Sequence, residues 1–319
     1  MSQYDLITMG ETMLRLSPAP NLYLEQAKQL DMNFAGAESN VASSVARLGL
    51  RTAWFSSLPN NPLGRACANQ LRGHGVDTSA IHWSDEARMG TYYIEYGAPP
   101  RGIRVWYDRK DSAASQMTPD MLPLDALKQS RRFHVTGITP ALSDSCYAAT
   151  QAALTFCQEN GITTSFDINY RSLLWDAPTA AAKLDPLCKQ ADMVFVALRD
   201  AVNLWGMPND IEKASVVAHD RWGGCVIVPN GSDDVFATDD HTTVSVENSP
   251  VDVVDRIGAG DAFAAGTLYG LLSEMPLQEA MRYGLGLSAL VLTTLGDLVY
   301  ATREELEQLV LGGGSSLRR

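Results

Sequence analysis

Basic residues are scarce in this sequence. It holds 25 Lys and Arg against 37 Asp and Glu over 319 residues, which gives a net charge of −12 at pH 7. Nucleic-acid binding demands clustered Lys and Arg, because contacts to the phosphate backbone dominate the affinity. The charge balance therefore argues against a nucleic-acid partner. A small anionic ligand is still compatible with it, since such a ligand needs only a few local cations.

Paired cysteines and long apolar runs are also missing. The five cysteines are scattered and none forms a C-x-x-C pair, which argues against a metal or redox motif and suits a reducing compartment. The first residues, MSQYDLITMGETML, lack the basic start and long apolar core of a signal peptide. No apolar run approaches the ~18 residues that a membrane span needs. We therefore expect a cytoplasmic protein that does not enter a membrane.

Two familiar phosphate-binding motifs are absent as well. The sequence has no G-x-x-x-x-G-K-[ST] loop, and its one G-A-G stretch continues as D-A-F rather than as G-x-G-x-x-G. A dinucleotide-dependent dehydrogenase is accordingly the weakest of the functions considered.

Alternating apolar runs and amphipathic stretches are what the sequence does have. Short runs rich in β-branched residues alternate with segments that carry apolar residues at helical spacing. This order predicts an α/β fold with a doubly wound, mostly parallel sheet and helices on both faces. The predicted segments, strand and helix in turn, are 4–10, 38–50, 52–59, 63–76, 131–138, 146–160, 163–170, 179–190, and then the strands 192–198 and 224–230.

Two extended segments interrupt the alternation. Residues 15–36 and 90–115 read as strands, and in the second Tyr92, Ile94 and Tyr96 would share one face. We expect a small β lid, built from about residues 12–35 and 90–112, on a single domain that covers 1–319. A lid with open strand edges would also suit a homodimer.

The stretch VVDRIGAGDAFAAG, residues 253–266, carries the chemistry. An extended segment, 245–257, is expected to lead into a helix, so that Gly258, Ala259 and Gly260 lie at the helix N-terminus. Free backbone N–H groups and the helix dipole attract anions there. Asp261 would then take a proton from an attacking hydroxyl, or would serve only as a helix-start acid.

The whole chain resembles the ribokinase-like carbohydrate kinases of the PfkB family. The resemblance is carried by FAGAESNVASSVARLG (34–49), LPNNPLGRACANQLRGHGVDT (58–78), ADMVFVALRDAVNLWG (191–206) and DRIGAGDAFAAG (255–266). Within the family, MGETMLRLSP, VWYDRKDSAAS, FDINYRSLLW and GDLVYATREELEQL resemble the 2-keto-3-deoxygluconate kinases. This implies ATP-dependent phosphorylation of the C6 hydroxyl of a keto-deoxy sugar acid.

The resemblance also implies roles for individual residues. Asp261 would be the base, and Gly258, Ala259 and Gly260 would form the anion hole. The sugar acid would contact Gly36, Asn40, Tyr92, Tyr107, Arg109 and Arg171. ATP would contact Gly231, Ser232, Asp234, Gly258 and Gly260. Asp200 would organise Mg²⁺ through water, and a monovalent cation is a further expected cofactor.

Arg109 and Arg171 support an acid substrate independently of the resemblance. Arginine grips carboxylates through two parallel hydrogen bonds, and both residues adjoin the expected sugar pocket. The alternative for each is a surface ion pair.

Three departures from the family pattern leave other functions open. Residues 197–200, Ala-Leu-Arg-Asp, replace an Asn-x-x-Glu motif, Asp234 replaces the second glycine of the nucleotide loop, and Ala35 stands where a glycine is common. Asp200 could in that case be an exposed helix-start acid. A neutral-sugar kinase of the same family and a sugar-binding relative without catalysis are the alternatives.

Overall fold

The computed structural model describes residues 2–231 and 233–312. The strands of this part of the chain are β1 Tyr4–Met9, β2 Met13–Ser17, β3 Asp31–Ala35, β4 Thr52–Phe55, β5 Ser57–Pro59, β6 Val76–Asp77, β7 His82–Ser84, β8 Thr91–Glu95, β9 Arg104–Asp108, β10 Ser130–Thr136, β11 Thr163–Asp167, β12 Met193–Phe195, β13 Cys225–Pro229, β14 Val235–Thr238 and β15 Thr243–Val246. The helices are α1 Ala37–Arg47, α2 Pro62–Gly73, α3 Leu124–Lys128, α4 Asp144–Glu159, α5 Ala177–Gln190, α6 Leu198–Trp205, α7 Ile211–Trp222, α8 Ala259–Leu272, α9 Leu277–Leu292 and α10 Arg303–Val310. Short 3₁₀ turns occupy Leu24–Gln26, Ala114–Gln116, Pro119–Met121 and Thr139–Ala141.

A nine-stranded sheet forms the centre of the molecule. Its order is β15-β14-β13-β12-β11-β10-β1-β4-β6, and the pairs from β13 through β6 are parallel. Only the hairpin of β14 and β15 is antiparallel, at one edge. The predicted α/β, mostly parallel sheet is confirmed. The carboxyl ends of its parallel strands meet at one edge, where α/β proteins bind their ligands.

Side chains that alternate along the strands fill a core on each face of this sheet. Ile7 and Met9 pack toward the layer of α4, α5, α6 and α7, while Leu6 packs toward α1, α8 and α9. Likewise, Val226 and Val228 enter the first core and Ile227 enters the second. Because both faces are covered, strands such as β12 and β13 are apolar throughout, which made them predictable from the sequence.

The two extended segments form a separate four-stranded sheet, in the order β3-β2-β8-β9. Tyr92, Ile94 and Tyr96 share its inner face as predicted, together with Val105, and they pack against Ile257 of the large body. Tyr107 pairs with Tyr92 on β8 and therefore points to the same inner side, whereas Trp106 points away. The small sheet thus presents an aromatic face to the carboxyl edge of the large sheet.

Two sequence-based expectations about strands are wrong. Residues 52–59 do not form one strand: β4 lies in the large sheet and β5 pairs with β7, because the carbonyl of Ser56 between them accepts from the His82 N–H. Residues 245–257 are not extended throughout, since β15 ends at Val246. A polar stretch with Pro250 follows, and the Asp255 side chain turns the chain by accepting from the Ile257 N–H at 3.1 Å.

No helix among the described residues is long and apolar enough to cross a membrane.

Candidate active site

A cleft of about 570 Å³ lies between the carboxyl edge of the large sheet and the inner face of the small sheet. It gathers residues from both ends of the chain. The residues predicted for the site that line the cleft are Gly36, Tyr92, Tyr107, Arg109, Arg171, Asp200, Gly231, Gly258, Ala259, Gly260 and Asp261. Residues that the sequence did not single out also line it, namely Glu11, Asp167, Arg256 and Asp297.

Asp261 stands in the first turn of α8 and faces the cleft. Its Oδ2 accepts a 2.8 Å hydrogen bond from Asn40 Nδ2, which comes from the first turn of α1. Burial raises the pKa of the Asp261 carboxyl, while the Asn40 hydrogen bond and the nearby Arg171 charge oppose that rise. Asn40 does not line the cleft; its side chain binds the Asp261 carboxylate. The sequence predicted that Asn40 would contact the sugar, whereas in the structure it contacts the expected base.

The turn before Asp261 is shaped for an anion. Gly258 caps α8 with φ 81°, and a Cβ at this position would lie 2.6 Å from the Asp297 carbonyl oxygen. Only glycine fits there, for both reasons. The helix that begins at Ala259 leaves its first N–H groups without helical partners, and residues 258–261 line the cleft.

Asp297 was missed by the sequence reasoning. It lies after α9, and its side chain, 8 % exposed, accepts a 2.8 Å hydrogen bond from Arg15 of β2. Tyr92 donates its hydroxyl to the other carboxylate oxygen at 3.4 Å. Burial raises the pKa of Asp297 and the Arg15 charge lowers it. The available signal was a lone acid in the apolar stretch after Gly296.

Arg109 occupies a more crowded position than expected. Its Nε donates at 2.8 Å to Glu11, whose side chain is buried and also accepts from the Ser112 hydroxyl. The guanidinium also lies 5.6 Å from the centre of the Tyr107 ring, close enough for a cation–π contact. The Glu11 carboxylate therefore partly neutralises the charge of Arg109. The alternative considered from the sequence was a surface ion pair, whereas the ion pair that Arg109 forms is with a buried carboxylate.

Arg171 is exposed at the carboxyl edge of β11, and the cleft wall beside it is acidic. Burial and the Asp261 charge raise the pKa of Asp167 to about 8, against the hydrogen bond from the Asn169 N–H and the Arg171 charge. Within the part of the chain that the structure describes, no ion pair to Arg171 lies within 4 Å, which leaves its guanidinium available to a ligand.

Asp200 is buried rather than exposed, so the helix-start alternative is wrong in that respect. Burial raises the pKa of its carboxyl, and Arg199 beside it, 3.2 Å away, opposes the shift. No group of three or more His, Cys, Asp or Glu residues among those described is arranged to hold a metal ion by itself. Two carboxylates with raised pKa values, Asp167 and Asp200, still fit Mg²⁺, which takes few protein oxygens and completes its shell with water and phosphate.

Of the three residues predicted to bind only the nucleotide, two are described by the structure and one of these lines the cleft. Gly231 lines the cleft at φ 63°, two residues after the end of β13. Asp234 is exposed and accepts from the Asn248 N–H at 3.3 Å, outside the cleft. Ser232 lies outside the described residues. Arg256, which was not predicted, adds an exposed cation next to the Gly258 turn.

A parallel sheet with this cleft at its carboxyl edge, a glycine turn and an acid at a helix start, and a small sheet facing them define a ribokinase-like phosphotransferase. The chain belongs to the pfkB family of carbohydrate kinases, whose model matches residues 3–302. The resemblance seen in the sequence and the expected enzyme class, a phosphotransferase that acts on an alcohol group, are confirmed.

Individual relatives narrow the class further. The chain is 40% identical to a 2-dehydro-3-deoxygalactonokinase of Haloferax volcanii, over 99% of each chain. It is 32% identical to a 2-dehydro-3-deoxygluconokinase of Bacillus subtilis, over 95% of this chain and 94% of that one. The crystal structure of a 2-dehydro-3-deoxygluconokinase of Thermotoga maritima superposes with a TM-score of 0.91 at 31% identity, covering 96% of this chain and 99% of that chain.

Proposed function

We propose that this carbohydrate kinase transfers the γ-phosphoryl group of ATP to the C6 hydroxyl of 2-keto-3-deoxygluconate. The observation that carries the proposal is the position of Asp261. Its carboxylate is held by Asn40, faces the cleft, and adjoins both a glycine turn with free N–H groups and the Arg171 cation. The names of the relatives at 40% and 32% identity support a keto-deoxy sugar acid as the acceptor.

In the proposed reaction Asp261 accepts the proton of the C6 hydroxyl. The C6 oxygen forms a bond to the γ-phosphorus, the bond from that phosphorus to the bridging oxygen breaks, and ADP leaves with the electron pair. The N–H groups of Ala259 and Gly260 stabilise the charge on the transferring group. Mg²⁺, when bound, neutralises phosphate charge, and Asp167 and Asp200 would hold it, Asp200 through water.

Recognition of the acid would divide between two arginines. Arg171 offers an exposed guanidinium, whereas Arg109 binds Glu11 through Nε and Nη2 and keeps Nη1 for a ligand. Tyr92 and Tyr107, whose ring centres lie 5.8 Å apart, would cover the sugar from the small sheet acting as a lid, and Gly36 would approach it at the start of α1. An anionic substrate would pair with the Arg171 guanidinium, which has no ion pair among the described residues, whereas a neutral sugar would leave it unpaired.

The nucleotide would extend from the Gly258 turn toward Gly231. Gly258 and Gly260 would bind its phosphates, and Ser232 and Asp234 stay predictions for its other end. A bound monovalent cation and a cytoplasmic location also stay predictions.

A homodimer through the small sheet is proposed on the outer-face residues Met32 and Trp106, which are 53% and 44% exposed. Sedimentation of the Trp106→Glu variant as a monomer, beside a dimeric wild type, would support it.

A substrate panel with purified protein tests the proposal. ADP release is measured with 2-keto-3-deoxygluconate, its C4 epimer 2-keto-3-deoxygalactonate, fructose, ribose and a nucleoside. We expect kcat/KM at least tenfold higher for one keto-deoxy acid than for any neutral sugar. Equal or better turnover of fructose would overturn the acid assignment. Binding of a sugar without sugar-dependent ADP release would favour the non-catalytic alternative.

The C4 epimer is a second candidate in its own right. The relative at 40% identity is named for the galactonate form and the relative at 32% for the gluconate form. The ³¹P–¹H coupling of the purified ester would show whether phosphorus couples to the protons on C6; coupling to protons on a different carbon would overturn the proposed position.

A further inference from the structure

Arg15 is a buried cation that none of the roles assigned above uses. It lies on β2 of the small sheet, is 7 % exposed as a residue, and does not line the cleft. Its Nη1 donates to Asp297 at 2.8 Å across 282 residues of sequence, and its Nε has no hydrogen-bond partner among the described residues. Burying a guanidinium this completely costs desolvation free energy, which only well-made interactions with a partner such as Asp297 can offset.

The partner of Arg15 is fixed against the anion-binding turn. A Cβ on Gly258 would lie 2.6 Å from the Asp297 carbonyl oxygen and 2.7 Å from its Cα, so the backbones of the two residues touch. The buried Asp255 ties the same two segments together, because its Oδ1 accepts from the Ile257 N–H and its Oδ2 from the Gly296 N–H at 3.0 Å. A shift of Asp297 therefore displaces Gly258.

The Arg15 side chain also fits closely around the neighbour of Asp297. Gly296 has φ 98°, and a Cβ there would lie 3.2 Å from Arg15 Nη1. The second strand of the small sheet that reaches this point is β8, through the Tyr92 hydroxyl at 3.4 Å from Asp297 Oδ2. A continuous set of contacts thus leads from β2 and β8, through Asp297, to the turn at the start of α8.

We infer that Arg15 is a positioning residue that couples the small sheet to the phosphoryl-transfer turn: it holds Asp297 against Gly258, so that the N–H groups of residues 259 and 260 are correctly placed only when β2 is seated. The inference rests on the proposed role of that turn in phosphoryl transfer. It does not depend on which sugar is the substrate.

The first experiment needs no substrate. Amide hydrogen exchange is compared for the wild type, Arg15→Met and Arg101→Met. Arg101 is the matched control, since it also pairs with a buried carboxylate of the small sheet, Glu95, at 3.7 Å but outside the cleft. We expect at least tenfold faster exchange over residues 255–261 in Arg15→Met and no change there in Arg101→Met. Unchanged exchange in this segment would overturn the inference even if the proposed function holds.

The second experiment measures kinetics on the best substrate of the panel. We expect kcat of Arg15→Met to fall at least tenfold, by more than either KM rises, because loss of aligned N–H groups affects the transition state. Arg15→Lys should recover at least fivefold of that loss. In an Asp297→Asn background the further effect of Arg15→Met should be under twofold; full additivity would show that Arg15 does not act through Asp297.

Melting temperatures separate this role from a general loss of structure. If Arg15→Met and Arg101→Met lose stability equally while only Arg15→Met loses kcat, positioning is supported. If kcat per folded molecule is unchanged in Arg15→Met, the inference is wrong. Should the wild type release no ADP with any sugar of the panel, the proposed function fails, and the exchange experiment still decides the coupling.

Discussion

At Asp261, burial and hydrogen bonding act in opposite directions on one carboxyl group. Burial raises the pKa of this carboxyl, which strengthens the carboxylate as a base, while the 2.8 Å hydrogen bond that its Oδ2 accepts from Asn40 lowers the pKa and fixes the orientation of the side chain. The same residue type starts α4, where Asp144 is exposed and serves only the helix terminus.

The Asp261→Asn variant tests this assignment. We expect kcat to fall by ~10²–10⁴, the usual contribution of a positioned general base, with ATP affinity changed by less than about threefold. Steady-state kinetics and calorimetry measure the two quantities. Asp144→Asn is the control and should retain full turnover. Near-normal kcat in Asp261→Asn would remove Asp261 from the role of base.

Glu38 predicts a pH dependence of stability. It is fully buried, and its Oε1 accepts from the Thr136 N–H and from the Thr136 and Thr139 hydroxyls. Burial nevertheless raises its pKa from 4.5 to about 7. The native state therefore binds more protons than the unfolded state between these values, so this contribution to stability falls as pH rises from about 4.5 to about 7 and is constant above.

The Glu38→Gln variant should remove that contribution. Relative to the variant, the wild type should lose up to roughly 3 kcal/mol of unfolding free energy between pH 4.5 and pH 8, since one pKa unit corresponds to about 1.4 kcal/mol. Urea unfolding of both proteins at the two pH values measures the difference. A difference that is independent of pH would show that Glu38 has an ordinary pKa in the folded protein.

At the level of elements, α8 and α9 lie unusually close. A Cβ on Gly266 would be 2.5 Å from the Tyr283 carbonyl oxygen and 2.8 Å from the Cα of Gly284. These neighbours are backbone atoms and cannot rotate away. The contact fixes the axis of α8, and with it the direction in which its first turn faces the cleft.

Gly266→Ala should therefore destabilise the protein, although alanine favours helix by ~1 kcal/mol. Overpacking typically costs about 1–3 kcal/mol, which exceeds that gain. Gly73→Ala is the control, because a Cβ there meets nothing within 4 Å; it should be neutral or stabilising by up to ~1 kcal/mol. Chemical denaturation ranks the two. A Gly266→Ala protein as stable as Gly73→Ala would show that the helices can separate at no cost.

The strands were predictable where burial on both faces of the sheet determines their composition. Buried parallel strands such as β12 (Met-Val-Phe) and β13 (Cys-Val-Ile-Val-Pro) are apolar throughout, so their existence could be inferred from composition alone. The break at Ser56 could not, because it depends on a hydrogen bond from His82 of a separate strand. The turn after Val246 was also not predictable, because it depends on a side-chain contact: Asp255 accepts a hydrogen bond from the Ile257 N–H and turns the chain there.

The residues of the site likewise fall into those that the sequence predicted and those that it did not. Asp261 was found because a glycine turn and a helix start are contiguous in sequence. Glu11 and Asp297 were not, since each gains its meaning from an arginine distant along the chain, Arg109 and Arg15 respectively. Pairing of this kind becomes visible only when the fold brings the partners together.

For the molecule as a whole, the charge opposes its proposed substrates. A net charge of −12 repels sugar acids and ATP at long range, and local arginines and helix N–H groups attract them at short range. Salt weakens the long-range part first, because the Debye length falls from about 30 Å at 0.01 M to about 8 Å at 0.15 M.

Raising the ionic strength over this range should increase kcat/KM for the sugar acid by about two- to threefold. Tetramethylammonium chloride is used for screening, and a parallel series in KCl reveals any added effect of a small bound cation. A steady decrease of kcat/KM with tetramethylammonium chloride would show that the attractive local charges dominate the approach of the substrate.

The pairing of Arg15 with Asp297, and of Asn40 with Asp261, also bears on the order of synthesis. Both join the first 40 residues to positions beyond 260, and the core beside α1 is completed by α8 and α9. A growing chain thus exposes an apolar face and an unpaired Arg15 until the residues up to Asp297 have been made and folded. The cleft lining, which runs from Glu11 to Asp297 in sequence, is therefore completed late in synthesis, and a chain that stops before Gly258 lacks the turn and Asp261 altogether.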